Sequence, residues 1–221
     1  RSTRKESSAA SDVYKRQTHT VTFRGDHIVD RYSAVGQPPG VRICDLTGKT
    51  VNVITEDVTV ASHPFHDYES HIGPVEFGGL TAADGQSLPW RLLRPHTTSP
   101  ESPCPVVVVV YGGPGVRRVN NEWLTPWHHY MTSQGYAVFQ LDNRGSADRG
   151  RAFESPIYRH LGHVETQDQL LGVEYLRTLD DIDGDRIGVF GHSYGGYMTL
   201  MLLTKSPGTF RCGVSVAPVT D

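Results

Sequence analysis

The sequence predicts an α/β fold built on a mostly parallel, doubly wound β-sheet, and three observations carry this prediction. Continuous apolar runs at residues 105–111 and 136–141 are typical of strands that are buried on both faces of a sheet. Residues 165–179 carry apolar side chains at helical spacing, which indicates a helix packed on that sheet. Further apolar runs at 186–190 and 212–217 make strands and helices alternate along the chain, as they do in parallel sheets.

The N-terminal part of the chain differs in polarity and in periodicity from the rest. Residues 1–17 are polar, charged and aperiodic, which predicts a disordered tail that belongs to no family domain. Between Thr18 and Ile54, four short runs of alternating polarity are separated by turn residues and resemble one blade of a β-propeller. Because a single blade cannot bury its faces, we expect further blades to precede it outside this chain. The sequence thus divides into a tail at 1–17, the end of a propeller domain with its linker at 18–72, and the N-terminal part of an α/β domain at 73–221.

Length, charge and cysteine content narrow the classes of function. The chain has 221 residues and a formal net charge of −3, so its charge favours neither a nucleic-acid partner nor an anionic membrane surface. Its three cysteines are scattered, which indicates neither a disulfide framework nor a metal site, and no motif requires a cofactor. No apolar run approaches the roughly 18 to 20 residues of a membrane span. The first residue is not methionine and the last directly follows an apolar strand, so we expect a fragment of a longer protein, of a compartment that the sequence does not specify.

The stretch from Arg186 to Met198 predicts the catalytic nucleophile. An apolar strand leads into Gly-His-Ser-Tyr-Gly, with Ser193 at its centre, and the apolar residues 197–203 then indicate a helix. This is the Gly-x-Ser-x-Gly pattern in the strand–turn–helix context of a nucleophile elbow. Such a turn strains the serine backbone and needs a glycine two residues away on either side, so that strand and helix can approach closely. We expect it to present the Ser193 hydroxyl and to aim the backbone N–H of Tyr194 at a developing oxyanion.

A second candidate element, Tyr-Gly-Gly-Pro-Gly, begins at Tyr111 and follows the first apolar strand. Lipase-like hydrolases carry a His-Gly-Gly-Gly loop in this place, whose backbone N–H groups donate to the oxyanion. Here a proline removes one donor, and the phenol hydroxyl of Tyr111 could supply a hydrogen bond instead. The pattern alone leaves this open, because a Gly-Pro loop with a packed tyrosine fits it equally well.

Other polar residues are more ambiguous. Arg144, in the turn that begins at Asp142, could hold a substrate carbonyl, but Asp and Arg at a tight turn more often pin the loop, and we favour that structural role. The histidines at 128–129 and 160–163 lack matching carboxylates or cysteines, so we interpret them as surface or loop histidines and predict no metal site. His192, inside the elbow, is not interpreted as the base.

The sequence does not contain a complete catalytic triad. A serine nucleophile needs a base and a group that orients it, and in this kind of fold the acid and then the histidine follow the serine. No histidine follows Ser193 in this chain. Asp221 stands at a strand end where some hydrolases carry their acid, an assignment that we do not favour. We therefore expect these residues to be inactive on their own.

Four blocks of sequence resemble the prolyl oligopeptidase family of serine peptidases, and most closely its dipeptidyl peptidase IV branch. They occur in the family's order and spacing, at residues 110–115, 141–146, 191–198 and 216–221. The resemblance extends from about Val75 to Asp221, is weaker over the blade-like segment and is absent before it. His192 departs from the branch, many of whose members have tryptophan there, which blurs the subfamily but leaves the mechanism intact.

The resemblance implies an α/β-hydrolase domain capped by a β-propeller that admits peptides. Ser193 would be the acylated nucleophile, and the Tyr111 hydroxyl and the Tyr194 N–H would form the oxyanion hole. Val219, together with Tyr194, would line the pocket for proline or alanine at the second position of a peptide substrate. Members of the branch release X-Pro dipeptides from free N-termini and hold the substrate amine with two propeller glutamates, which lie outside this chain. The resemblance also allows a homodimeric parent and a periplasmic or cell-surface location.

Three alternatives stay open. An acylaminoacyl or tripeptidyl peptidase relative would be separated from a dipeptidyl peptidase by a substrate panel. A small-molecule esterase is disfavoured by Tyr111 and by the blade-like segment. A non-catalytic fragment is favoured by the missing base for this chain taken by itself.

Overall fold

The computed structural model describes residues 17–55 and 62–220. The predicted tail at 1–17 lies outside these residues except at its last position, and Asp221 lies outside them too. The described chain falls into two compact units.

The first unit contains the described residues up to Ile72 together with Asn120–Pro126. It is built on a four-stranded antiparallel sheet in chain order, formed by β1 (Thr18–Arg24), β2 (His27–Ala34), β3 (Gln37–Asp45) and β4 (Thr50–Val53). Asn121 fastens the second segment of the unit to this sheet, because its backbone carbonyl accepts from the Thr18 N–H at 3.1 Å. A 3₁₀ helix at Pro64–His71 also belongs to the unit. The four strands predicted from alternating polarity are confirmed.

This sheet leaves apolar side chains exposed to solvent. Four of them on β1 and β4 are between 47% and 67% exposed, namely Val21, Phe23, Val51 and Val53. A sheet must bury its apolar face against another layer to be stable. Among the residues that the structure describes in this unit, no second layer covers these side chains.

The second unit contains Gly73–Val119 and the described residues from Trp127 onward. Its sheet has six strands in the order β10-β9-β7-β8-β6-β5, formed by β5 (Val75–Thr81), β6 (Ser87–Leu93), β7 (Cys104–Val109), β8 (Ala137–Leu141), β9 (Ile182–His192) and β10 (Cys212–Val216). The four strands β7 to β10 are parallel, while β5 and β6 form an antiparallel hairpin that joins β8. The predicted mostly parallel sheet is thus confirmed, with an antiparallel edge.

The α-helices among the described residues are α1 (Pro126–Ser133), α2 (Arg151–Glu154), α3 (Val164–Leu176) and α4 (Tyr194–Lys205). Helix α3 confirms the helix predicted over residues 165–179, although it begins one residue earlier and ends three residues earlier than predicted. Together with the sheet these helices enclose an apolar core in which Phe139, Leu176, Ile187 and Met198 are at most 1% exposed. No helix among the described residues is long and apolar enough to cross a membrane.

The topology of the second unit decides where its polar residues meet. The parallel strands β7, β8 and β9 run in one direction, so the residues that follow them emerge at one edge of the sheet. Tyr111, Asp142 and Ser193 each follow one of these strands. In open α/β sheets this carboxyl edge is where ligands bind.

Candidate active site

Ser193 occupies a strained turn between β9, which ends at His192, and α4, which begins at Tyr194. Its backbone angles are φ 59° and ψ −119°, a conformation that L-residues rarely adopt. Two hydrogen bonds hold this conformation: the Ser193 N–H donates to the Val216 carbonyl at 2.9 Å, and the Ser193 carbonyl accepts from the Tyr197 N–H at 3.1 Å. The strained strand–turn–helix backbone predicted at Ser193 is confirmed.

The two glycines of the elbow are required by the closeness of its backbone segments. A Cβ atom on Gly191 would lie 2.0 Å from the carbonyl oxygen of Gly195. A Cβ atom on Gly195 would lie 2.2 Å from the carbonyl oxygen of Val110, at the end of the neighbouring strand. Any side chain at either position would therefore push strand and helix apart.

Tyr194 is the first residue of α4, and its backbone N–H belongs to the helix end whose amide groups have no partner within the helix. Its side chain is 8% exposed, and its hydroxyl donates to Oε1 of Glu165 at 2.7 Å. Burial, followed by the hydrogen bond to Glu165, raises the pKa of the Tyr194 phenol well above its usual value. The phenol therefore stays protonated and remains a donor across the physiological pH range.

The Tyr111 loop packs against Tyr194. The centroids of the two tyrosine rings are 6.1 Å apart, and a Cβ atom on Gly113 would lie 2.7 Å from the Tyr194 ring. The guanidinium carbon of Arg118 lies 4.9 Å above the Tyr111 ring centroid, within reach of a cation–π interaction. The structure thus brings the predicted Tyr111 loop and the predicted elbow into contact.

The segment after β8 is hydrogen-bonded to the Tyr111 loop and to the residues that follow this loop. Asp142 is 2% exposed, and its two carboxylate oxygens accept from the backbone N–H groups of Arg118 at 2.8 Å and Val119 at 3.0 Å. Burial raises the pKa of Asp142, and the two N–H donors oppose that shift because they stabilise the ionised form. The side-chain amide of the neighbouring Asn143, which is fully buried, donates to the Gly112 carbonyl at 3.1 Å.

Arg144 holds its own loop in place, because its guanidinium is engaged by two carboxylates. Its guanidinium donates to both carboxylate oxygens of Asp168 at 2.7–3.2 Å and to Asp84 at 2.9 Å. Asp168 is 2% exposed, so the Arg144–Asp168 pair is a buried, bidentate ion pair. These contacts agree with the structural role that the sequence favours for Arg144.

Val219 lies beside Ser193. Its backbone N–H donates to the Ser193 carbonyl in a long hydrogen bond of 3.4 Å, and its side chain is 44% exposed. The chain after β10 approaches α4 closely here, because a Cβ atom on Gly196 would lie 2.8 Å from the Val216 carbonyl oxygen. Ser193, Tyr194, Val219 and Tyr111 thus lie together, linked by the Val219–Ser193 bond and by the packing of Tyr111 on Tyr194.

The histidines of the described chain do not complete this cluster. Within the described residues, the Ser193 hydroxyl makes no hydrogen bond to a histidine, and His192 is exposed. No group of three or more His, Cys, Asp or Glu residues in the described ranges could hold a metal ion. His128 corrects our interpretation of the histidine pairs, because it is 7% exposed and buried in α1, whereas His160 and His163 are exposed as expected.

Sequence reasoning missed three buried polar residues that brace the site, Asn143, Glu165 and Gln169. Gln169 donates to the side-chain carbonyl of Asn143 at 2.8 Å and to the Leu141 carbonyl at 3.0 Å. One signal could have revealed two of them: Glu165 and Gln169 share a face of α3 that apolar spacing alone would assign to the core.

Comparisons with known proteins agree with this geometry. Residues 123–221 match the prolyl oligopeptidase family. The chain is 33% identical over 205 residues to dipeptidyl peptidase 8 of Mus musculus, an alignment that covers 88% of this chain and 22% of the mouse protein. The solved structure of Porphyromonas gingivalis dipeptidyl peptidase 4 has a TM-score of 0.81 and 31% identity, covering 93% of this chain and 29% of that one. A Bacteroides ovatus protein assigned as a dipeptidyl aminopeptidase IV has a TM-score of 0.80 and 37% identity, with the same coverage.

The chain spans about a fifth of the length of the curated relatives that it matches. The matched family segment contains the elbow at Ser193, the bracing helix α3 and the Asp142–Arg144 turn, and the Tyr111 loop precedes it. The family match, the relatives and the solved structures all indicate the family that the four sequence blocks resemble. Residues 123–221 therefore belong to the prolyl oligopeptidase family.

Proposed function

We propose that Ser193 is the nucleophile of a serine peptidase, and that the complete protein releases N-terminal dipeptides whose second residue is proline or alanine. The observation that carries this proposal is the strained turn at Ser193, held between β9 and α4 by backbone hydrogen bonds. Strain of this kind persists only where the surrounding structure enforces it, and it clusters at functional sites. The dipeptidyl specificity draws on the names of the relatives, which are dipeptidyl peptidases.

The proposed reaction proceeds through an acyl-enzyme. The Ser193 oxygen attacks the scissile carbonyl and loses its proton to a base, and the amine of the shortened peptide leaves with a proton. Water then hydrolyses the ester and releases the dipeptide. The Tyr111 hydroxyl and the Tyr194 N–H are the proposed donors to the oxyanion that forms in each step, a role supported by the packing of the Tyr111 loop on Tyr194.

Val219 is the proposed wall of the pocket that takes the proline or alanine side chain, with the Tyr194 ring beside it. Its side chain is partly exposed and its backbone N–H is bonded to the Ser193 carbonyl, close to where the residue before the cut would lie. A small apolar pocket favours proline and alanine because they bury apolar surface without leaving a polar group unpaired.

The proposed mechanism needs a histidine base and an acid that orients it. No histidine follows Ser193 in these 221 residues. We therefore infer that a polypeptide of these 221 residues does not turn over substrate by itself. This one observation also favours the second candidate, a non-catalytic role for the isolated chain. In the same proposal, residues 18–72 are the end of a propeller domain and residues 73–221 are part of an α/β-hydrolase domain.

Substitution of Ser193 in the complete protein tests the proposal. Ser193→Ala should abolish both hydrolysis of Gly-Pro amides and covalent labelling by a fluorophosphonate. Ser133→Ala, which changes an exposed serine of α1, should leave both unchanged. Retained hydrolysis in Ser193→Ala would remove this residue from the mechanism.

A substrate panel then decides between the related activities. A dipeptidyl peptidase cleaves Gly-Pro and Gly-Ala amides in preference to X-X-Pro amides and acetylated amino-acid amides. Preference for the acetylated amides would identify an acylaminoacyl peptidase, and preference for X-X-Pro a tripeptidyl peptidase. Hydrolysis of simple esters alone would identify an esterase.

A further inference from the structure

One face of α3 is polar although it is buried. Glu165, Asp168 and Gln169 are each at most 2% exposed, and their spacing of three and four residues places them on one side of the helix. Buried polar and charged side chains cost free energy unless they are hydrogen-bonded. Glu165 is hydrogen-bonded to Tyr194 at the elbow, whereas Asp168 and Gln169 are both bonded to residues 141–144, so the face is a set of specific contacts.

Glu165 contacts the elbow. Its Oε1 atom accepts two hydrogen bonds, from the Tyr194 hydroxyl at 2.7 Å and from the Gly162 N–H at 3.0 Å. The Gly162 bond ties the carboxyl group to the chain just before α3, so the acceptor is fixed at its own end. Because α4 begins at Tyr194, a fixed Tyr194 side chain also restrains the first peptide group of that helix.

The Tyr194 ring is restrained on its other sides by aromatic contacts and by the Tyr111 loop. The Tyr197 ring meets it edge-on at 5.3 Å between centroids, and the Tyr111 ring lies at 6.1 Å. Gly113 approaches so closely that even a methyl group would overlap the Tyr194 ring. A rotation of this ring would therefore displace both the loop and the start of α4.

We propose that Glu165 is a positioning residue of the oxyanion hole: by accepting the Tyr194 hydroxyl, it sets the distance between the Tyr194 N–H and the Tyr111 loop. The inference rests on the proposed function, and Glu165 itself touches neither substrate nor reacting atoms. What matters is the acceptor at Oε1 and its geometry, which an amide oxygen could also supply. Charge on the side chain has no part in this role.

Three variants of the complete protein test the proposal, with kcat expressed per active site titrated by a fluorophosphonate. Glu165→Leu removes the acceptor, Glu165→Gln keeps it, and Glu174→Gln changes an exposed glutamate on the same helix. Titration corrects kcat for unfolded protein, so a role in stability alone would leave kcat unchanged.

We expect Glu165→Leu to lower kcat by about 10- to 100-fold with KM within about threefold, since complete loss of one oxyanion donor costs about 10²–10³-fold and here the donor is only misplaced. A dipeptide boronic acid, which forms a tetrahedral adduct with the serine, should lose affinity by the same factor. A product dipeptide should bind as before. Glu165→Gln and Glu174→Gln should both stay within about threefold of the wild type.

Tyr194→Phe provides a second route if Glu165→Leu does not fold. It removes the same hydrogen bond and keeps the ring, so kcat should fall to a similar extent, and the double variant should lose no more than the worse single variant. The proposal is overturned if Tyr194→Phe keeps kcat within threefold of the wild type, or if Glu165→Gln is as damaging as Glu165→Leu. Ser193→Ala in the same series separates the proposed function from the positioning role of Glu165. If Ser193→Ala is inactive and Tyr194→Phe is fully active, only the role of Glu165 is refuted.

Discussion

Replacement of Gly191 by alanine tests whether the close approach of strand and helix creates the elbow. The new Cβ atom would lie 2.0 Å from the Gly195 carbonyl oxygen and 2.3 Å from its carbonyl carbon. Both atoms belong to the backbone of α4, so no flexible side chain can move aside. Ordinary van der Waals contact begins at 3.4 Å, so strand and helix must separate by about 1.4 Å.

The expected cost follows from that displacement. Overpacking a well-packed interior costs about 1–3 kcal/mol, and Gly191→Ala should lie near the upper limit because the atoms displaced are main chain. For a cooperative unit of about 150–250 residues each kcal/mol lowers Tm by about 2–4 °C, so Tm should fall by about 6–12 °C. Misplacement of a reacting group by about 1 Å can also cost about 10²-fold in turnover.

Gly188→Ala is the matched control, because it lies in the same strand and its Cβ atom would meet Cys212 Sγ at an ordinary 3.4 Å. Thermal unfolding of both variants of the complete protein, followed by circular dichroism, measures the difference directly. Activity on a Gly-Pro amide, per titrated site, measures the displacement of Ser193. If the two variants unfold within about 2 °C of each other, which corresponds to less than about 1 kcal/mol, the close approach is not what constrains the elbow.

Two further substitutions test the surroundings of Ser193. Tyr111→Phe should lower kcat of the complete protein by about 10²–10³-fold with little change in KM, the usual effect of removing one oxyanion donor, and an effect of less than about tenfold would remove the Tyr111 hydroxyl from the site. Arg144→Met should destabilise the protein in urea unfolding by about 3–5 kcal/mol, because it leaves the buried Asp168 carboxylate without its cation. Arg177→Met breaks an exposed pair and should cost less than about 1 kcal/mol, so equal losses in the two variants would contradict the structural role of Arg144.

The elements of the fold were predictable where the signal is local. Strands β7 and β8 follow from uninterrupted apolar runs, and the β5–β6 hairpin follows from its flanking turn, because burial on two faces and turn chemistry leave marks within a few residues. The order of the strands leaves no such mark. That β6 pairs antiparallel with β8, at the edge of a parallel sheet, depends on which surfaces meet after the chain has folded.

The strained turn at Ser193 was predictable for the same reason, but the residues that support this turn were not. The strained backbone of Ser193 needs glycines at two fixed positions, which is a pattern that can be read from five residues. The bond from Tyr194 to Glu165 joins residues 29 positions apart, and the bond from Asn143 to Gly112 joins residues 31 positions apart. Nothing local distinguishes the buried Asn143 from an exposed side chain, and Glu165 is marked only by its place on the face of α3 that apolar spacing assigns to the core. The burial of His128 escaped notice for the same reason as that of Asn143.

These long-range bonds explain how the structure sustains the strained turn. A backbone in a rarely populated conformation relaxes unless its neighbours over-determine it, and relaxation here would move the Tyr194 N–H away from the Tyr111 loop. Helix α3 opposes that movement from both sides, since Glu165 holds the Tyr194 side chain while Gln169 holds Asn143, which in turn holds the Gly112 carbonyl. Donors that must meet a charge only in the transition state are effective when they are fixed beforehand. A helix that carries no proposed catalytic group thereby determines the relative position of the two proposed donors.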